Sequence, residues 1–132
     1  MEYLYNYATE LLLLLFLFIT FAQSAIDKTL DWRGNVSWLK GHFSQTPVKD
    51  IVPLLLAIIL VTEIFAGVLC IIGFFQIAIQ GEKSMAFSGA VISCLTLLML
   101  LFGQRLAKDY EGAKTIAVYF IPAIFLVFLL NS

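Results

Sequence analysis

One carboxylate in this sequence stands where a charge is expensive. Glu63 lies near the middle of an apolar run over 51–79 and is the only charged residue in it. At that depth in a hydrocarbon layer an ionisable side chain is rare and faces a protein interior or a water-filled cavity. Placed on a helix at roughly 100° per residue, Glu63 shares a face with Ala66, Gly67, Cys70, Gly73 and Phe74. Ile64, Phe65, Val68, Leu69, Ile71, Ile72 and Phe75 take the other face. The second face is bulky and suits lipid. The first is small and polar and suits a neighbouring helix, because Gly and Ala let helix backbones approach closely in a membrane. Glu63 therefore points into a bundle. Three roles stay open for it. It can hydrogen-bond a Thr, Ser, Gln or Tyr of another helix, anchor a headgroup, a quinone or a proton, or touch a partner subunit.

A matching surface follows in the sequence. Over 85–106, Gly89, Ser93, Thr96 and Gly103 fall on one helical face, with Leu100 among them. That face can pack on the small face of the preceding helix and offer Ser93 or Thr96 to Glu63. Hydroxyls inside helices also bond their own backbone, so this is a packing expectation first. Cys70 and Cys94 invite a redox reading, but Cys94 sits roughly 140° around its helix from the small face. A disulfide needs Cα atoms within about 7 Å, so two inert buried thiols are expected.

The remaining chemistry is thin. His42 is the only histidine and has no Cys or carboxylate at ligand spacing, so neither a metal site nor a haem site is expected. Glu10, Gln23, Gln76 and Gln104 fall near helix ends and read as interfacial. No nucleophile, base and orienter are gathered, and no phosphate loop is present. The reading leans away from an enzyme, though a subunit of an oxidoreductase stays open. No cofactor is predicted from the residues; a bound quinone or lipid belongs to the Glu63 reading.

The elements that position these residues follow from composition. Of 132 residues, 61% are hydrophobic and 13% charged. Soluble domains average about 45–50% and about 25%, and so little charge cannot cover a water-exposed surface. The apolar residues come in four blocks, at about 7–26, 51–79, 85–106 and 115–130. A membrane helix needs roughly 17–25 residues. The second block is long enough to tilt or project. The fourth is short, carries Pro122, and can recruit 110–114 as a first turn. The unbroken run Leu11 to Leu15 lacks the alternation of a membrane barrel. The first block lacks the positive leader of a signal peptide, because Glu2 and Glu10 stand where Lys or Arg belong. We therefore expect an all-α integral membrane protein, one domain over 1–132, built as a four-transmembrane-helix bundle with an interfacial loop between helices one and two.

Seven of the eight basic residues fall on one side of that bundle. Lys28, Arg33, Lys40 and Lys49 lie in the first loop, and Arg105, Lys108 and Lys114 near the third; only Lys83 lies in the second. Basic loops stay cytoplasmic, which places loops one and three inside and both termini outside. Net charge is −1, and no basic run suggests nucleic acid. In the first loop, Trp32, Val36, Leu39 and Phe43 recur at helical spacing, with Trp38 close by, as in a segment lying in the interface. Trp32, Trp38 and Phe43 are its expected anchors. Gly34 and Gly41 each weaken a helix by about 1 kcal/mol, so two short helical turns are expected rather than one helix.

Three segments resemble the DoxX-like family of small four-helix bacterial membrane proteins. They are Phe21-Ala22-Gln23-Ser24-Ala25-Ile26-Asp27-Lys28, Gly41-His42-Phe43 leading to Thr46-Pro47, and Glu63-Ile64-Phe65-Ala66-Gly67 followed by Gly73. The resemblance implies the four-helix fold and a bacterial inner membrane. It also implies company, since members are associated with thiosulfate:quinone oxidoreductase, with redox-stress complexes and with chaperoning of membrane proteins. The expected role is an accessory subunit of a larger inner-membrane complex, with membrane lipid and other membrane subunits as partners. The alternatives are a redox protein binding quinone or lipid at Glu63, and a small-solute or proton pathway.

Overall fold

A computed structural model describes residues 2–131, which fold as six α-helices with no strand among the described residues. They are α1 (Glu2–Asn6), α2 (Ala8–Leu30), α3 (Trp32–His42), α4 (Val52–Gln80), α5 (Ser84–Leu106) and α6 (Tyr110–Asn131), with a 3₁₀ turn over Lys49–Ile51. The helices α2, α4, α5 and α6 are each long and apolar enough to cross a membrane. The chain is a small multi-pass membrane protein.

The bundle is ordered by close packing of successive spans. α4 packs on α2 and α5, α5 packs on α6, and α2 touches α6 to close the ring. Leu11, Leu14, Leu17, Phe21 and Ala25 form the buried stripe of α2. On α4 the buried residues are Val52, Leu56, Glu63, Ala66, Gly67, Cys70, Gly73 and Ile77. Ile64, Phe65, Val68, Ile72 and Phe75 of α4 face outward. The α4–α5 seam is the tightest: a Cβ on Gly73 would stand 2.5 Å from Ala86 Cα, and one on Gly89 2.9 Å from Cys70 N. Only glycine fits there, and in lipid such close approach supplies the packing energy that water-driven burial cannot.

Several boundaries move. α2 runs four residues past the expected end at 26, and α6 recruits 110–114 as its first turn, starting at Tyr110. α6 takes in polar residues at its start because Asp109 caps it, its Oδ1 accepting from Gly112 N at 2.9 Å. Pro122 sits inside α6; it removes one backbone bond, a loss membrane helices tolerate.

The first loop differs most from expectation. Trp32–His42 forms one helix across both glycines, not two turns. Asp31 caps it, Oδ1 accepting from Gly34 N at 3.3 Å. Gly41 falls in its last turn, where helix propensity counts least. Lys28 stands two residues before the end of α2 and Glu63 eleven after the start of α4, yet their side chains meet. The start of α4 therefore reaches roughly 10 Å beyond the end of α2, and α3 folds back beside that overhang.

Candidate functional site

The site begins with the two long spans that carry its charges. Lys28 continues the buried stripe of α2 at the spacing set by Leu14, Leu17 and Phe21. A side chain on a helix leans toward the helix N-terminus, and for Lys28 that direction leads into the membrane. Its ammonium donates to Ser24 Oγ one turn back and lies 2.9 Å from Glu63 Oε1. Lys side chains near membrane helix ends ordinarily reach outward to water. This one reaches inward, toward the carboxylate. The Glu63 side chain is 2% exposed and that of Lys28 is 17% exposed. The pair is therefore nearly closed to solvent, with Lys28 its more exposed member. Glu63 Oε1 takes no hydrogen bond among the described residues, so the contact is an ion pair and leaves that oxygen with acceptor capacity.

The expected hydroxyl partners are used elsewhere. Ser93 Oγ donates to Gly89 O at 2.7 Å, and Thr96 Oγ1 donates to Ile92 O at 2.8 Å. Both are buried, and each satisfies its own helix, as hydroxyls in helices do. Ser93 also lies 3.7 Å from Cys70 Sγ. Cys70 and Cys94 are free, buried thiols. Among the small residues, Gly73 and Gly89 lie in the α4–α5 seam, while Gly67 faces the Phe21 Cβ of α2. Gly103 lies under the Phe43 ring rather than against α4. Ala66 is fully buried in the core.

A second polar cluster lies at the same end of the bundle. His42 Nε2 is 2.9 Å from Gln104 Oε1 and 3.6 Å from Asp109 Oδ2. The Trp38 ring stacks on His42 at 4.6 Å between centroids, and Phe43 meets it edge-on at 4.9 Å. Trp38 is 63% exposed. Trp38 and Phe43 thus pack on His42, which reaches Gln104 of α5 and Asp109, and Trp32 sits on another side of the same helix. No group of three or more His, Cys, Asp or Glu is placed to hold a metal among the described residues.

Sequence reasoning placed Lys28 in a loop and missed it as the partner of Glu63. The signal was present: Lys28 extends the apolar stripe of helix one at helical spacing. The His42–Gln104 pair spans 62 residues and had no signal in local spacing. No family model, characterised protein or solved structure matches the chain.

Proposed function

We propose that this protein is a small accessory subunit of a larger membrane complex, of the kind the DoxX-like resemblance implies, in a bacterial inner membrane. One observation carries the reading: the polar side chains of the interior are engaged within the bundle, with only Glu63 Oε1 keeping acceptor capacity among the described residues. Glu63 is paired with Lys28, Ser93 and Thr96 serve their own helix, and His42 holds the α5–α6 turn. What the bundle offers its surroundings is apolar helix surface. Val61, Ile64, Phe65 and Val68 of α4 line a shallow outward depression of about 260 Å³. The gathering of seven cations at one end supports loops one and three being cytoplasmic and both termini outside. The test is native mass spectrometry after gentle extraction from the native membrane. Stoichiometric partner subunits are expected; recovery as a monomer or homodimer alone overturns the proposal.

A second reading is favoured by the pair itself. Lys28 Nζ and Glu63 Oε1, 2.9 Å apart, set a donor beside an acceptor, which suits the carbonyl of a quinone and the hydroxyl of a quinol. Glu63→Gln keeps the shape and removes the charge. Quinone binding that is lost in this variant supports the redox reading, and unchanged binding removes it.

A further inference from the structure

The α3 helix has two working sides. One carries His42, with Trp38 stacked on it, toward Gln104 and Asp109. The other carries Trp32, Arg33, Val36, Ser37 and Lys40, which with Pro53 of α4 line an open groove of about 390 Å³. Its lining holds two cations and no acid. Arg33 and Lys40 are both exposed, and neither makes an ion pair or side-chain hydrogen bond among the described residues. They stand seven residues apart, two turns along one face. The nearest acid in sequence, Asp31, turns its carboxylate to the α3 N-terminus.

The height of the groove narrows its ligand. Pro53 is the second residue of α4, so the groove lies at the polar end of the bundle, beside the start of an apolar span. Its floor is apolar, from Trp32, Val36 and Pro53, and its rim is cationic. A free anion needs only the rim. A ligand with a negative head and an apolar body uses both parts. We propose that this groove binds one anionic phospholipid of the adjoining leaflet. Arg33 and Lys40 hold the phosphate and Ser37 donates to it, while the upper acyl chain lies on Trp32, Val36 and Pro53.

The experiment places the full chain in nanodiscs of phosphatidylcholine with phosphatidylglycerol as the minority lipid, then counts retained lipids by native mass spectrometry. The wild type is expected to keep one phosphatidylglycerol in preference to phosphatidylcholine. Arg33→Gln/Lys40→Gln is expected to lower that preference roughly thirtyfold, each surface cation contributing about fivefold. Val36→Trp leaves the charges and fills the groove, and is expected to lose the lipid as well. Lys108→Gln/Lys114→Gln removes equal charge from the α5–α6 turn and the start of α6 at the same end and is expected to change nothing. Equal retention of both lipids by the wild type overturns the proposal. So does unchanged retention in either groove variant, or an equal loss in the control pair. Displacement by millimolar inorganic phosphate overturns it in favour of a free-anion site. Circular dichroism of each variant shows that its helices are kept.

Discussion

At one end of the bundle α4 turns into α5 through Gly81, Glu82 and Lys83; at the other, α5 turns into α6 through Ala107, Lys108 and Asp109. Both turns leave a helix through a left-handed residue. Gly81 does so at φ 71° and Lys108 at φ 59°. Glycine adopts that conformation freely, and a residue with a Cβ does not. The Gly81 turn is closed by packing and one side-chain bond: a Cβ on Gly81 would strike the Tyr3 ring, and Gln76 Oε1 accepts from Met85 N at 3.1 Å. The Lys108 turn is closed by polar bonds. Lys108 N donates to Arg105 O at 3.1 Å and Asp109 N to Gln104 O at 2.9 Å, the two bonds of a Schellman motif. Asp109 then caps α6 and lies near His42. The Lys28–Glu63 pair is also nearer this end. The Gly81 end is held mainly by close packing, with Gln76 bonding across the turn, and the other end mainly by charge and hydrogen bonding, so substitutions should separate them.

The largest effect is expected at the charged end. Lys28→Met leaves Glu63 buried without its cation. Removing one member of a buried pair costs about 3–5 kcal/mol, and the partial exposure of Lys28 puts the loss near about 3 kcal/mol. Lys28→Met/Glu63→Met removes both charges, and replacing a whole buried pair with apolar groups is often neutral. Unfolding in mixed micelles titrated with denaturing detergent reads both. A double variant as unstable as the single would show that the pair is not a closed unit and would blur the contrast between the ends.

The seam leading to the Gly81 end should respond to volume and ignore charge. Gly73→Ala sets a Cβ 2.5 Å from the Ala86 backbone, and overpacking of this kind costs about 1–3 kcal/mol. Because the obstacle is backbone, the two helices must separate along their length. The same unfolding titration should show the loss, and salt should leave it unchanged. A loss below about 0.5 kcal/mol would mean the α4–α5 seam yields easily, against the reading that shape holds that half.

These contrasts explain what was readable from the residues and what was not. The spans were legible because hydrocarbon forces long apolar helices, and the buried stripe of α4 because Glu63, Ala66, Gly67, Cys70 and Gly73 recur at helical spacing. The partner of Glu63 was obscured by treating Lys28 as a loop charge, when helix one continues to Leu30. Its inward reach depends on the offset between α2 and α4, a tertiary quantity. The single α3 helix was hidden because Gly34 and Gly41 argue locally against it. Capping by Asp31, and His42 tied to Gln104 and Asp109, override that preference from outside the segment.

The smallest expected effect tests the turns themselves. Lys108 takes the position that glycine usually fills after a helix, so its side chain gains no conformational ease from the left-handed backbone. Lys108→Gly relieves that strain and keeps both Schellman bonds, which are made by backbone groups alone. Glycine also gives the unfolded chain more freedom, and this offsets part of the gain. A net stabilisation of about 0.5–1 kcal/mol is expected in the same micelle titration. A clear loss of stability would mean the Lys108 side chain contributes binding energy that its backbone geometry conceals. The charged end would then depend on this cation as it depends on Lys28, and the Lys108 turn would be a polar contact rather than a strained copy of the Gly81 turn.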